Sequence, residues 1–219
     1  MIPAMIVPVL TRYDLLDRMI KSINYPIKDL VVIDNGAKGN SWEPAWNQWV
    51  SKVWHMKIPS NLGVASSWNL GIKSLPFSDY WLIANFDIEW GGDSLKMFSE
   101  LSTPQKLLLS NGSPEWCAFS VGWQVVDKVG LFDEALHPAY FEDNDYERRC
   151  KVLGVEIERS FIPVAHDNSS TLKNGFQEHA NRTFENNAHY YTMKMQTKDL
   201  SDGRWQIRRR RENAWDDVS

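Results

Sequence analysis

The sequence predicts an α/β sandwich: a mainly parallel sheet with helices on both faces, formed by a single domain over residues 1–200 with a C-terminal tail at 201–219. Three observations predict it. Apolar strand-like runs alternate along the chain with segments of helical period, the pattern of α/β folds. The central runs, Leu30-Val31-Val32-Ile33 and Tyr80-Trp81-Leu82-Ile83-Ala84, are continuous, as in parallel strands covered on both sides. Most runs also end in polar residues, where ligands of open parallel sheets bind. With 219 residues, 43% hydrophobic and 24% charged, the chain suits one globular domain.

Taken in order, Ile6 to Leu10 reads as a first strand, and Asp14 to Ile23 as a helix with Leu15, Leu16, Met19, Ile20 and Ile23 on one face. Leu30–Ile33 is the second strand and stops at the turn signal Asp34-Asn35-Gly36. Pro44 suits the first turn of a helix carrying Trp46, Trp49 and Val50. Val53 to Ile58 is a third strand, and Asn61-Leu62-Gly63 turns into a helix from Val64 to Ser74. Tyr80–Ala84 is the next strand, followed by Asn85-Phe86-Asp87, and Asp93 caps a helix toward Leu101. Leu107–Leu109 and Cys117–Val121 are later strands, and Trp123–Val129 is a helix closed by Gly130. Glu142 to Leu153 is a helix closed by Gly154, Val155 to Ile162 is extended, and Phe176 to about Lys198 is helical.

Composition narrows the classes of function. A net charge of −4 gives no global signal for nucleic acid or an anionic membrane. The run Arg208–Arg211 is followed directly by Glu212, Asp216 and Asp217 and reads as a solvated tail. Two cysteines, Cys117 and Cys150, form neither a metal-ligand spacing nor a disulfide framework, which suits a reducing cytoplasm. The apolar opening lacks a basic leader and breaks at Thr11-Arg12-Tyr13-Asp14, as a buried strand does and a signal peptide does not. No stretch reaches the ~20 apolar residues that span a bilayer. The 11 tryptophans suit cores and sugar faces equally.

Three clusters carry chemistry. Asp87-Ile88-Glu89 places two carboxylates on one side of an extended chain just past a buried strand, an arrangement able to bind a hard cation such as Mg²⁺ or Mn²⁺. The bland reading is that Asp87 only starts a turn. His166 follows the apolar stretch Phe161–Ala165; beside carboxylates, an imidazole can ligate Mn²⁺, although a lone histidine is more often structural. Tyr140-Phe141-Glu142-Asp143-Asn144-Asp145 puts three acids at a helix start. Helix polarity accounts for some of that charge. A carboxylate there can also take the proton of an incoming hydroxyl.

In this order the pieces resemble the family 2 inverting glycosyltransferases of the GT-A fold, a Rossmann-like sandwich, and especially the small bacterial and phage-type members. The resemblance covers about residues 5–195. Ile6–Arg12 is similar to the family's first strand and nucleotide-contacting loop, and Val31–Gly36 to its second strand with a base-contacting aspartate. Asn61 to Gly71 resembles an Asn-x-Gly…Asn-x-Gly helix start. Asn85-Phe86-Asp87 stands where the metal-binding DxD-type motif is found. Val129–Glu134 followed by Glu142-Asp143 resembles the acceptor-side motif and general base, and Ala188–Lys194 the tail of some members. The paired arginines that many relatives carry before the acceptor-side helix are missing from Ser120–Gln124.

The resemblance implies a nucleotide-sugar-dependent hexosyl- or deoxyhexosyltransferase. Its donor would be UDP-, TDP- or GDP-linked, and its cofactor Mn²⁺ or Mg²⁺ held by Asp87 and His166. Thr11, Arg12, Asp34, Asn61, Asn69 and Asn85 would line the nucleotide and diphosphate, with Trp116 a sugar or acceptor platform. Asp143 would be the general base, with Glu142 or Asp145 as alternatives. The acceptor would be a hydroxyl of a glycan, a protein or a modified nucleic acid, and a homo-oligomer is compatible with the sequence. Two other classes remain. A sugar-nucleotide nucleotidyltransferase would need a Gly-rich phosphate loop, which Thr11–Asp14 does not supply. A non-catalytic carbohydrate-binding protein would not need a base beside a metal.

Overall fold

The computed structural model describes residues 1–36, 41–111, 115–167 and 177–196, the last segment with side chains from Thr183 onward. The tail at 201–219, including the arginine run, and the ends expected for the last helix at Phe176 and Lys198 lie outside the described residues.

The chain runs β1 (Ile2–Val9), α1 (Tyr13–Lys21), β2 (Ile27–Asp34), β3 (Val50–Lys57), α2 (Val64–Ser74), β4 (Tyr80–Ala84), β5 (Ile88–Trp90), α3 (Ser94–Leu101), β6 (Lys106–Ser110), β7 (Ala118–Gly122), α4 (Trp123–Val129), α5 (Glu142–Val152), β8 (Glu156–Ser160), β9 (Val164–His166) and α6 (Gln177–Gln196). The main sheet has 7 strands in the order β3-β2-β1-β4-β7-β6-β8. β1, β2, β3 and β4 pair in parallel, as do β6 and β8, whereas β7 runs antiparallel to both neighbours. The α/β sandwich around a mainly parallel sheet is therefore what the chain forms.

Alternation along the strands feeds two cores, since successive side chains of a strand point to opposite faces. Met5, Val7 and Val9 of β1 pack with Leu15, Leu16, Met19 and Ile20 of α1 and with Leu95 and Phe98 of α3. Ala4 and Ile6 face the other layer, with Trp68 and Ile72 of α2, Val125, Val126 and Val129 of α4, and Tyr146 and Cys150 of α5. Burying each large side chain contributes about 1.5–3 kcal/mol.

Several expectations are corrected. Residues 41–49 form no helix; the Asn47 side-chain amide donates to the carbonyls of Ile20 and Ile23 at 2.8 and 3.1 Å, and β3 begins at Val50, where Ile27 pairs with it. The extended stretch from Val155 is not one strand. β8 ends at Ser160, Phe161 is 74% exposed rather than buried, and the chain re-enters as β9 in a separate 2-stranded sheet with β5. Asp93 occupies the position before α3 but makes no side-chain cap.

Topology selects the ligand crevice. From β1 the chain steps outward to β2 and β3, then returns to β4 on the opposite side of β1. Ligands of open α/β sheets bind where the order reverses, past the carboxyl ends of the strands. Here that point lies between Leu10–Arg12 and Asn85–Asp87.

Candidate active site

One rim of the sheet collects nearly every residue the sequence singles out. The carboxyl ends of β1, β2, β3 and β4 deliver Thr11, Asp34, Asn61 and Asp87 there. Because β7 is antiparallel to β4, with Ala84 opposite Ala118, the start of β7 and the 3-10 turn Glu115–Cys117 before it reach the same rim. Trp116 comes with them.

The β5–β9 ladder aligns Ile88 with His166. That register sets His166 Nε2 3.1 Å from Asp87 Oδ1, both side chains being under a tenth exposed. Asn85 Nδ2 lies 3.4 Å from the same ring nitrogen, and the backbone amide of Asp167 donates to the Asp87 carbonyl at 3.0 Å. Asp87 and His166, 79 residues apart, are thus neighbours. Glu89 does not join them. In β5, Ile88 and Trp90 face the core and Glu89 faces outward, where Arg18 Nε lies 3.5 Å from it. Arg18 also pairs with Asp167. Among the described residues no group of three or more His, Cys, Asp and Glu forms a self-sufficient cation site. A two-ligand donor set of one carboxylate and one imidazole fits a cation such as Mn²⁺ that takes its remaining ligands from oxygens of water or a bound phosphate.

At the end of β2, Asp34 is fully buried and heavily bonded. Its Oδ1 accepts from the Tyr13 hydroxyl at 2.6 Å and from the Gly36 amide at 3.1 Å, and Oδ2 lies 3.0 Å from His55 Nε2. Tyr13 and Trp42 are 5.4 Å apart in tilted contact, and His55 meets Trp42 edge-on at 5.2 Å. Tyr13, Trp42 and His55 thus cluster around the buried Asp34 carboxylate. Sequence reasoning did not assign these three; the aromatic after Thr11-Arg12 was the available signal. Thr11 Oγ1 is buried without a hydrogen-bond partner. Arg12 has left-handed backbone (φ 55°) before α1 and binds Asp14 through two nitrogens, at 2.9 and 2.8 Å.

The two asparagines of the α2 region differ. Asn61 is exposed at the rim, its carboxamide oxygen accepting from the Gly63 amide at 2.9 Å. Gly63 has φ 81°, and a β-carbon there would come within 2.8–3.0 Å of His137 and Pro138, so the turn requires glycine. Asn69 is completely buried. Its amide donates to the Phe132 carbonyl and to Glu134 Oε1, and its oxygen accepts from the Phe132 amide, all at 2.9 Å. This corrects its placement beside the ribose or diphosphate: Asn69 fastens α2 to the loop before α5.

Tyr140 and Phe141 both have left-handed backbone, φ 82° and 72°, immediately before α5. Such conformations persist only where surrounding structure holds them, and they gather at functional sites. Glu142 is 7% exposed, and its Oε2 has no hydrogen-bond partner. Burial, with Asp143 adding to it, pushes its carboxyl up to about 8. Asp143 is half-buried, accepts from the Asn144 amide at 2.7 Å, and is also raised by burial. Asp145 is fully buried, with Oδ2 bonded to Arg149 Nε at 2.8 Å and Oδ1 2.8 Å from Lys194 Nζ. That occupation removes Asp145 from the candidate bases. Trp116 packs edge-on to Phe119 at 4.6 Å on the second core and is half-buried. Arg159 joins Glu115, beside Trp116, to Glu147 of α5 at 3.0 and 2.8 Å, tying α5 to the 3-10 turn.

No family model matches the sequence, and no curated protein sequence is recognisably similar to it. Solved structures are similar in fold. The Pyrobaculum calidifontis mannosyltransferase PcManGT, in complex with GDP-mannose and Mn²⁺, superposes with a TM-score of 0.52 at 14% identity over 72% of this chain and 54% of its own. The catalytic domain of Drosophila β1,4-galactosyltransferase 7, in complex with xylobiose, gives 0.52 at 14% identity over 78% and 72%. Staphylococcus aureus TarS gives 0.54 at 14% over 73% and 35%. The chain thus spans about half of the mannosyltransferase and about a third of TarS. It shares its fold with known glycosyltransferases.

The arrangement offers three chemical capacities. A buried carboxylate–imidazole pair suits a cation, aromatic rings cluster around Asp34, and a half-buried carboxylate at a helix start can accept a proton. Among the described residues no helix is long and apolar enough to cross a membrane.

Proposed function

We propose that this protein is an inverting, metal-dependent glycosyltransferase, similar to family 2 enzymes, that moves a hexosyl or deoxyhexosyl group from a nucleoside-diphosphate sugar to an acceptor hydroxyl. The observation that carries the reading is the buried Asp87–His166 pair at the point where the strand order reverses. The fold's likeness to glycosyltransferases bound to GDP-mannose with Mn²⁺, or to manganese, UDP-galactose and xylobiose, supports it.

In this reading Asp87 and His166 would hold Mn²⁺ or Mg²⁺, which would supply positive charge to offset that developing on the diphosphate leaving group. Tyr13, Trp42 and His55 face the base of a UDP-, TDP- or GDP-linked donor, and Thr11 Oγ1 is an unused polar atom beside it. The acceptor oxygen attacks the anomeric carbon from the face opposite the diphosphate, the bond from that carbon to the diphosphate oxygen breaks, and the acceptor proton passes to Asp143. Burial raises the Glu142 carboxyl to about 8, which favours its neutral form and leaves Asp143 as the base of this reading. The acceptor class is a hydroxyl-bearing glycan, protein or modified nucleic acid, and buried, unpaired Cys117 and Cys150 suit a reducing cytoplasm.

The test is a panel of UDP-, GDP- and TDP-sugars with and without Mn²⁺, read by nucleoside diphosphate release and by thermal stabilisation. Metal-dependent stabilisation lost in Asp87→Ala and His166→Ala supports the reading. Asp143→Asn is expected to keep that stabilisation and lose roughly 10²–10⁴-fold in turnover. Binding of free sugars alone, without nucleotide or metal, would instead identify a carbohydrate-binding protein.

A further inference from the structure

The last described helix presents one face to the loop that carries the acceptor-side carboxylates. Asn187, Tyr190 and Lys194, spaced three and four residues apart, lie along that face. The Asn187 amide donates to the carbonyls of Ala139 and Tyr140 at 2.8 and 3.3 Å. The Tyr190 hydroxyl donates to Asp133 Oδ2 at 2.9 Å. Lys194 Nζ donates to the same oxygen at 2.6 Å and forms an ion pair, without hydrogen-bond alignment, to Asp145 Oδ1 at 2.8 Å. Phe184 packs on Tyr140 and Phe141 at 5.5 and 5.0 Å, and Tyr191 stacks on Phe141 at 5.6 Å.

Two features make this more than packing. The start of α5 has no side-chain cap of its own, and the two residues before it hold left-handed backbone. Its conformation is therefore imposed from outside, by Asn187 on the 139–140 carbonyls and by the rings on Tyr140 and Phe141. Lys194, 9% exposed at its side chain, is buried between two carboxylates that are themselves almost completely buried. Such an ion group costs desolvation that apolar side chains of the same size would avoid, so its gain lies in orientation more than in stability. Asp145 passes the constraint on, because Arg149 holds its second oxygen and donates to the Val129 carbonyl at 2.9 Å.

We propose that α6 is a clasp for the acceptor-side carboxylates and that Lys194 is its positioning residue, joining Asp133 to Asp145 so that the first turn of α5 holds Asp143 in place. The clasp itself stands on the geometry; only its catalytic consequence rests on the glycosyltransfer reading. Lys194 touches no substrate in this account. It acts through Asp145 and the loop.

The experiment compares wild type with Lys194→Met and Lys194→Arg in the full chain, by hydrogen exchange, calorimetry and turnover. Exchange of amides in 139–147 is expected to accelerate about tenfold in Lys194→Met, while β1 and β4 stay protected. Affinity for UDP, GDP and TDP with Mn²⁺ should stay within about twofold, whereas turnover of the donor falls roughly 10–100-fold at unchanged donor KM, the loss expected when a reacting group is displaced by about an ångström. Lys194→Arg should recover most of that loss. Should Lys194→Met not fold, Tyr190→Phe removes one hydroxyl from Asp133 and gives the same readouts. Unchanged exchange in 139–147, or a turnover loss matched by an equal loss of nucleotide affinity, overturns the proposal. A wild type that binds no nucleoside diphosphate sinks the glycosyltransfer reading instead, and the exchange result alone then decides the clasp.

Discussion

Replacing Glu142 by Gln should make the protein more stable at alkaline pH and leave it nearly unchanged in acid. The carboxyl sits in the first turn of α5, where helix polarity favours an anion, yet burial outweighs that preference and Oε2 finds no partner. Its value therefore rises from 4.5 to about 8, the proton being held more tightly in the folded chain than in the unfolded one. Below the unfolded value both states are protonated and the group is neutral in effect. Between 4.5 and about 8 the folded state retains a proton that the unfolded state releases, so stability falls as pH rises. Above that window the full cost is present. At 1.36 kcal/mol per pH unit the window corresponds to up to roughly 5 kcal/mol, with roughly 3 kcal/mol already incurred at pH 7. Glu142→Gln keeps the shape and removes the charge. Urea denaturation of both proteins from pH 5 to 9 should therefore give curves that diverge steadily with pH, the variant above. Parallel curves, or a variant less stable than wild type at pH 8, would refute the reasoning.

Two further substitutions probe the framework of the fold. Asn69→Ala leaves the buried amide and carbonyl of Phe132 without partners, and urea denaturation should show a loss of roughly 2–4 kcal/mol. Gly122→Ala sets a β-carbon 2.2 Å from the Pro104 carbonyl oxygen, which is backbone and cannot swing aside. A loss of ~3 kcal/mol or more in thermal denaturation is expected, the upper range of overpacking, because the neighbour is not a flexible side chain.

Strand and helix positions were legible wherever one local signal dominated. β4 spans its apolar run, and α2 and α4 begin directly after the glycines that precede them. Local pattern failed where a distant partner decided. The Trp-rich stretch at 41–49 has helix-compatible residues, but Asn47 reaches the end of α1 and pins it as a loop. Nothing in Ala118–Gly122 distinguishes a parallel strand from an antiparallel one, since buried strands of either kind are continuous apolar runs.

The residue types at the site were legible in the same way. A carboxylate after a buried strand, a histidine after an apolar stretch and an acidic helix start each announce themselves by being costly where they stand. By itself the sequence determined the layered α/β architecture and that short roster of polar residues, because periodicity and the cost of burying charge are local properties. Only the tertiary structure decided which of them meet. It set Asp87 against His166 through a two-stranded ladder, sent Glu89 outward, and bound Asn69 and Asp145 within the framework. Those outcomes depend on the register and hydrogen-bond partners of segments far apart in the chain, and each partner is chosen by the whole fold.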